Sequence, residues 1–122
     1  MEKEKKILVV DDDQSILEML AAVLTYYGYD VNTLSRGEKV FEKIHEFHPD
    51  LILMDIMLGG MDGRTICRAI KSTEDADIPI ILISATESGQ SCMDKEGAPN
   101  DFVPKPFDLD FLLDKIEHQL AA

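Results

Sequence analysis

Short runs of apolar residues alternate along the chain with longer stretches in which apolar residues recur at helical spacing. Continuous runs of Val, Ile and Leu are typical of strands buried on both faces, as in a parallel sheet covered by helices. Each parallel crossover needs about a dozen residues, and the longer stretches supply them, so the alternation predicts a βα unit repeated five times. The predicted strands are residues 7–10, 31–34, 51–54, 80–83 and 102–103.

Sequence signals also mark where the predicted helices begin and end. Gly28 stands where a glycine commonly follows a helix, and Ser35-Arg36-Gly37-Glu38 fits a capping box before the second helix. Pro49 closes that helix, and Asp108 caps the last one. Residues 86–98 carry few apolar positions, so a short or irregular fourth helix is expected. The apolar stripes of helices one, two, three and five are Ile16, Leu20, Val23, Leu24 and Tyr27; Val40, Ile44 and Phe47; Ile66, Ala69 and Ile70; and Leu109, Leu112, Leu113, Ile116 and Leu120.

The size and charge of the chain limit the classes of function that it can have. Its 122 residues fit one domain, residues 1–122, and its apolar stretches fall short of the roughly 20 residues that span a bilayer. The charged first residues are not followed by a signal-peptide core, which predicts a cytoplasmic protein. The net charge of −12, from 24 acidic and 12 basic residues, repels nucleic-acid phosphates and anionic lipids. Direct binding of nucleic acid or membranes is therefore not expected.

Cysteine and histidine residues give weaker signals. Cys67 and Cys92 lack metal-ligand spacing and are expected to be free thiols, with Cys67 on the buried side of helix three. His45 and His48 have i, i+3 spacing and could join His118 on a transition metal, although solvated surface positions are the simpler interpretation.

Polar residues follow four of the five predicted strands. They are Asp11, Asp12 and Asp13 after the first, Asp55 after the third, Ser84 after the fourth and Lys105 just beyond the fifth. Because the carboxyl ends of parallel strands meet at one edge, these groups are expected to lie together. Clustered carboxylates repel one another unless a cation neutralises them, and hard oxygen ligands favour Mg²⁺. A carboxylate beside such an ion can attack phosphorus while a lysine and a hydroxyl hold the transferred oxygens, so the pattern predicts phosphoryl transfer to aspartate.

Each of these residues also has a simpler interpretation. Asp13 alone fits the N-cap of helix one better than a metal ligand, and Asp11 or Asp12 alone fits a turn. Ser84 alone fits a turn residue, and Lys105 alone fits an exposed loop. The combination of acids, hydroxyl and ammonium at four strand ends is what favours a shared site.

Five stretches of the chain carry a specific family resemblance. They are ILVVDDD at 7–13, PDLILMDIML at 49–58, MDG at 61–63, IPIILISA at 78–85 and VPKPF at 103–107. With these motifs essentially the whole chain resembles a two-component response regulator receiver domain of the chemotaxis-regulator type. The resemblance implies a doubly wound α/β fold, (βα)5 and flavodoxin-like, with a five-stranded parallel sheet in the order 2-1-3-4-5.

The resemblance also implies a role for the acids. Asp55 would be the phosphoacceptor, Asp12 a direct ligand of Mg²⁺ or Mn²⁺, and Asp11 an acid that helps to hold the ion, partly through water. Met57 would offer its backbone carbonyl to the ion. A histidine kinase or a phosphotransfer protein would donate the phosphoryl group. The chain would not be an enzyme beyond self-phosphorylation with Mg²⁺ and slow autodephosphorylation.

The remaining site residues would act on the bound phosphoryl group. Ser84 would bond to a phosphoryl oxygen on activation, Ala85 would leave room for the group, and Lys105 would pair with it. Phe102 falls at the position of the family's aromatic switch residue, and Ser84 and Phe102 would move together. The Lys105-Pro106 peptide is expected to be cis.

The chain departs from the family pattern in two places. Gly59 stands where a proline is usual, so the loop after Asp55 is expected to be looser. Residues 87–96 lack the apolar stripe of the fourth helix, and Pro99 interrupts the run that usually precedes the aromatic residue. Because family members commonly signal through helix four, strand five and helix five, the downstream effector and a phosphorylation-dependent homodimer are left open.

Three other functions fit parts of the pattern. Asp11 and Asp13 formally fit the acid pair of a haloacid-dehalogenase-type phosphatase, but that scheme leaves Asp55 without a role. A flavodoxin-like module for a phosphorylated cofactor would place a phosphate against three carboxylates that repel it. A receiver that acts only as an unphosphorylated scaffold would not require the complete set of chemical residues that the chain contains.

Overall fold

The computed structural model describes residues 4–85 and 97–121. Its strands are β1 (Lys6–Val10), β2 (Asp30–Leu34), β3 (Leu51–Asp55), β4 (Met57–Leu58), β5 (Met61–Asp62), β6 (Ile80–Ser84) and β7 (Asp101–Pro104). Its α-helices are α1 (Gln14–Tyr26), α2 (Val40–Phe47), α3 (Gly63–Lys71) and α4 (Leu109–Ala121), which is the predicted fifth helix. None of these helices is long and apolar enough to cross a membrane. The predicted irregular fourth helix falls almost wholly outside the described residues.

Five of the strands form one parallel sheet in the order β2-β1-β3-β6-β7. This is the predicted order, because β6 and β7 are the fourth and fifth apolar runs of the sequence. The register pairs Val10 with both Leu34 and Met54, and it pairs Asp55 with Ile83. β1 and β3 therefore end side by side at the carboxyl edge, where ligand sites of such sheets lie.

Helices cover both faces of this sheet. α2 and α3 pack on one face, and α1 and α4 pack on the other. Successive strand residues point to opposite faces. Leu8, Val10, Ile52 and Met54 belong to the first core, and Ile7, Val9, Leu51 and Leu53 belong to the second. Because both faces are buried, the central strands hold their carboxyl ends in fixed positions.

Helix ends confirm some of the sequence signals and correct another. The Asp13 carboxylate caps α1 by accepting hydrogen bonds from the amides of Ser15 and Ile16, at 2.9 and 3.4 Å. Gly28 follows α1 with φ of 95°, as expected for a glycine after a helix. The capping box predicted before α2 is wrong, because a 3₁₀ turn occupies Gly37–Lys39 and neither that turn nor α2 has a side-chain capping bond.

The buried faces of two helices also differ from the predicted stripes. The buried residues of α1 are Leu17, Leu20 and Leu24. Tyr27 lies beyond the end of α1 and is 57% exposed, because the chain leaves the helical period at that point. In α3, Cys67 is buried as predicted, whereas Ala69 is exposed. The stripe of α4 is confirmed, with Leu112 and Ile116 fully buried.

A short hairpin that the sequence patterns did not predict follows β3. Its strands β4 and β5 are antiparallel, and Met57 pairs with Asp62. Gly59 lies in the connecting turn with φ of 64°. Proline cannot adopt this angle, because its ring holds φ near about −65°. The glycine therefore permits a turn that the usual proline would exclude, and the greater looseness of this loop stays a prediction.

Candidate functional site

Two carboxylates and one hydroxyl are buried at the carboxyl edge of the sheet. Asp11 follows β1, Asp55 ends β3 and Ser84 ends β6, and their exposed fractions are 1%, 4% and 0%. They are the buried polar residues of the part of the chain that the structure describes. Burying charged groups costs free energy unless they are paired, so these positions indicate a site rather than ordinary turns.

Lys105 pairs with both buried carboxylates. Its Nζ lies 3.2 Å from Asp11 Oδ2 and 2.9 Å from Asp55 Oδ2. The loop after β7 carries the lysine to this place, and the amide of Lys105 donates to the Ser84 carbonyl at 2.7 Å. The Lys105-Pro106 peptide is cis, as predicted.

The other carboxylate oxygens accept bonds from backbone amides. Asp11 Oδ1 accepts from the amide of Asp13 at 2.9 Å, and Asp55 Oδ1 accepts from the amide of Met57 at 3.1 Å. Each carboxylate is thus fixed by one amide of its own loop and by the shared ammonium group. The amides orient the two acids toward each other and toward Lys105.

Burial and charge shift the pKa values of this cluster. Burial raises the pKa of Asp11, and the nearby charge of Asp55 raises it further, against the opposing effects of the Asp13 amide and Lys105. Burial alone would lower the pKa of Lys105, but its hydrogen bonds and charge interactions with Asp55 and Asp11 outweigh burial and raise it. The lysine is therefore held in its cationic form between two acids.

A divalent cation fits the acids of this edge. Asp11, Asp12 and Asp55 can each offer one carboxylate oxygen, and these oxygens all lie within 4.8 Å of one another. Asp12 is exposed, so the group opens to solvent on one side. A set of hard carboxylate oxygens with access to water suits Mg²⁺, which retains several water ligands.

The remaining predicted residues divide between the edge and other places. Phe102 is 8% exposed and packs in the core beneath the edge, next to Leu82 of β6. Ala85 is exposed and lines an apolar cleft with Lys105 and Phe107. The Asp13 carboxylate caps α1, as the simpler interpretation predicted. His45, His48 and His118 are exposed and belong to no metal-binding group among the described residues.

One residue of the edge received no role from the sequence. Gly63, the first residue of α3, donates its amide to the Ile56 carbonyl at 2.7 Å and lies against the backbone of Asp55. In the sequence Gly63 stood out only as part of the MDG stretch. A close approach between a glycine and a distant backbone produces no periodic pattern from which it could be predicted.

The fold and the site together define a doubly wound α/β domain with an acidic, lysine-bearing site at its carboxyl edge. The sequence model of the response regulator receiver domain matches residues 7–117. The chain therefore belongs to the family of response regulator receiver domains.

Relatives agree with this assignment. The DNA-binding response regulator MtrA of Mycolicibacterium smegmatis is 38% identical over 104 residues, which are 84% of this chain and 45% of that protein. The chain thus spans about half the length of the curated relatives it matches. A response regulator from Chloroflexus aurantiacus superposes with a TM-score of 0.89 at 31% identity, covering 98% of this chain and 100% of that one. The response regulator TrrA of Thermotoga maritima, solved in complex with Mg²⁺-BeF, has a TM-score of 0.84 at 33% identity, covering 94% and 98%.

Proposed function

We propose that this chain is the phosphoacceptor domain of a two-component system and that Asp55 receives the phosphoryl group. The observation that carries the proposal is the buried Asp55 carboxylate, paired with Lys105 at 2.9 Å inside a group of three acids. The donor is the phosphohistidine of a histidine kinase or phosphotransfer protein, which places the chain in the cytoplasm. Residues 1–122 act as one receiver unit.

The transfer step uses groups of the chain that are already in place. Asp55 Oδ attacks phosphorus, the new O–P bond forms as the P–N bond to histidine breaks, and the released imidazole takes up a proton from water. Lys105 then balances the charge of the phosphoryl oxygens, and the Ser84 hydroxyl donates to one of them. Attack of water on phosphorus later breaks the O–P bond and releases phosphate slowly.

A divalent cation takes part in this proposal as a resident cofactor. Mg²⁺ or Mn²⁺ would be held by the carboxylates of Asp11, Asp12 and Asp55 and by the backbone carbonyl of Met57. When bound it supplies positive charge beside the phosphoryl oxygens. The complex of the Thermotoga maritima relative with Mg²⁺-BeF supports this assignment.

The bound phosphoryl group changes a partner-binding surface through Ser84 and Phe102. Ser84 moves toward the phosphoryl oxygen beside Ala85, and the space it leaves admits the ring of Phe102. The two residues lie on neighbouring strands, since Phe102 pairs with Leu82 two positions before Ser84. Phosphorylation therefore shifts a two-state equilibrium of this surface toward the form that binds the next partner or a second copy.

The charge of the chain argues against direct contact with DNA. MtrA is a DNA-binding regulator of about twice this length, whereas this chain has a net charge of −12. Neutralising DNA phosphates requires lysine and arginine clusters. Any DNA contact would thus be made by a partner or by further sequence rather than by these residues.

A phosphatase that uses Asp11 and Asp13 fits the structure less well. The Asp13 carboxylate points to the amides of Ser15 and Ile16 as the cap of α1, and it is absent from the group of acids that includes Asp11. Asp55, by contrast, belongs to that group. The acid set therefore supports a single acceptor on β3.

Phosphoryl uptake from a small donor tests the proposed function. Radiolabelled acetyl phosphate with Mg²⁺ is expected to label the protein to about one phosphoryl group per chain, and beryllofluoride to shift the amide resonances of Ser84 and Lys105. Asp55→Asn should abolish both responses, whereas Asp13→Asn, an acid of the same edge outside the metal group, should keep both. Multiple turnovers of a phosphomonoester, or labelling that survives in Asp55→Asn, would contradict the proposal.

A further inference from the structure

Gly63 lies against the backbone of the proposed phosphoacceptor. It is buried at the start of α3. A Cβ added at this position would overlap the backbone carbonyl oxygen of Asp55 and would lie 3.0 Å from Ile56 Cα. Both neighbours are backbone atoms, so neither can move aside by a change of rotamer. Only a residue without a side chain lets α3 begin this close to the end of β3.

The same stretch of backbone sets the direction of the Asp55 carboxylate. The amide of Ile56 donates to the Ile83 carbonyl at 3.0 Å, and the amide of Gly63 donates to the Ile56 carbonyl at 2.7 Å. The amide of Met57 then binds Asp55 Oδ1 at 3.1 Å. β6, α3 and the acid's own loop thus hold residues 55–57 from three sides. A displaced Asp55 carbonyl would therefore disturb the carboxylate that pairs with Lys105 at 2.9 Å.

Gly63 is not required for its backbone conformation. Its φ lies outside the left-handed region, which L residues rarely adopt and which Gly28, Gly59 and Gly97 do adopt. In a helix, alanine is intrinsically favoured over glycine by about 1 kcal/mol. What glycine contributes at this position is therefore space beside Asp55.

We propose that Gly63 is a positioning residue for phosphoryl transfer, and that the missing side chain keeps the Asp55 carboxylate aligned with Lys105. This inference rests on the proposed function of Asp55. Gly63 itself touches no phosphoryl oxygen. Misplacing a reacting group by about 1 Å can cost about 100-fold in rate, so a small shift of this backbone is enough to slow the transfer.

Two other glycines provide matched controls. A Cβ at Gly60 would meet no heavy atom within 4 Å, so Gly60→Ala tests the loss of a glycine alone. A Cβ at Gly37 would lie 2.6 Å from Ile66 Cδ1, so Gly37→Ala crowds a side chain of α3 without touching Asp55. Together the three alanine variants separate crowding of the helix from displacement of the acid.

The test compares rates of labelling by acetyl phosphate at saturating Mg²⁺, divided by the folded fraction of each variant. Gly63→Ala is expected to be at least about tenfold slower than the wild type, with a shifted amide resonance at Met57. Gly60→Ala and Gly37→Ala are expected to label at the wild-type rate, although Gly37→Ala loses stability. A wild-type rate in Gly63→Ala, or an equal loss in Gly37→Ala, would overturn the inference.

Two further outcomes distinguish a failure of the role of Gly63 from a failure of the proposed function of Asp55. If the wild type takes up no label, the proposed function fails and the inference, which rests on it, fails with it; if the wild type labels and Gly63→Ala labels equally fast, only the inference fails. If Gly63→Ala is largely unfolded, its labelling rate is compared with that of the wild type in the same concentration of trimethylamine N-oxide, which favours compact states. Slow labelling of the refolded variant supports a positioning role, and labelling at the wild-type rate refutes it.

Discussion

Lys105 is the cation that pairs with both buried carboxylates at the carboxyl edge. Its ammonium group bonds to Asp11 and Asp55, and its side chain is 17% exposed. No other lysine or arginine of the described residues forms an ion pair with either acid. The lysine therefore offsets part of the cost of burying these two carboxylates.

Lys105→Met is expected to destabilise the metal-free protein by about 2 kcal/mol, because two buried carboxylates lose their charged hydrogen-bond donor. Urea unfolding at neutral pH in the presence of a chelator measures the loss. Lys115→Met serves as a control, since its pair with Asp101 is partly exposed and should cost less than about 1 kcal/mol. If the two variants lose the same free energy of unfolding, then Lys105 stabilises the protein no more than an ordinary surface ion pair does.

Asp13 gives a second test at this scale, because its carboxylate caps α1 and lies outside the group of acids that could hold a metal ion. Asp13→Ala should lower the free energy of unfolding by about 1 kcal/mol through loss of the α1 cap, with unchanged labelling by acetyl phosphate. Asp13→Asn should recover the stability, since asparagine also caps helices. If Asp13→Ala labels as poorly as Asp12→Asn, then Asp13 belongs to the site.

The sequence predicted the polar groups of the edge because they directly follow apolar runs. Asp11, Asp55 and Ser84 are the last or next residues of buried strands, so strand order alone brings them together. The pairing of Lys105 with both acids, and the space that Gly63 provides, depend on loop geometry. Loops show no periodic pattern of residues in the sequence, so these contacts could be found only in the three-dimensional structure.

At the scale of elements, the start of α3 connects a charged pair to the candidate site. The Asp62 carboxylate caps α3 by accepting from the amide of Arg64 at 2.8 Å, and it also binds the Arg64 guanidinium. That guanidinium lowers the pKa of Asp62, against a smaller opposing effect of burial. Gly63 follows this cap directly, so the cap helps to fix the helix end that lies against Asp55.

The lowered pKa of Asp62 predicts that its contribution to the free energy of unfolding depends on pH. A carboxyl with a lower pKa in the folded state stabilises the protein above its unfolded pKa of about 4 and loses this effect as pH falls through the folded pKa. At neutral pH the wild type should exceed Asp62→Asn by less than about 1 kcal/mol, because the pair is partly exposed and asparagine keeps the cap. Urea unfolding of the wild type and Asp62→Asn at neutral pH and below about pH 4 should show this difference disappear. A difference that grows in acid would contradict the assignment.

The order of elements was predictable because buried strands and crossover helices have distinct periods. The errors arose where that period stops. Tyr27 fits the apolar spacing of α1 in the sequence, but α1 ends at Tyr26. Strands of two residues such as β4 and β5 are too short to show an alternating pattern. The turn before α2 begins as a 3₁₀ turn at Gly37, so a capping signal did not lead to a capping bond.

For the whole molecule, the charge of −12 and the acid group at the edge predict that stability depends on Mg²⁺. An ion that binds only the folded state stabilises it by about 1.4 kcal/mol at a concentration about tenfold above its Kd. Thermal unfolding with Mg²⁺ or with a chelator, at constant ionic strength, measures this gain. Asp12→Asn should lose most of it while keeping the fold, because Asp12 is exposed. A gain of equal size in Asp12→Asn would mean that Mg²⁺ merely screens the acidic surface.

The place of β1 inside the sheet has a consequence for synthesis on the ribosome. β1 pairs with β2 on one side and β3 on the other, so all its partners have been made by residue 55. The three strands β1, β2 and β3, with α1 and α2 between them, are therefore all synthesised before β6 and β7. β6 and then β7 add to the open side of β3 in the order in which they appear. Translation never requires a late strand to insert between two that have already paired, because every strand after β3 adds at the side of the sheet opposite β2.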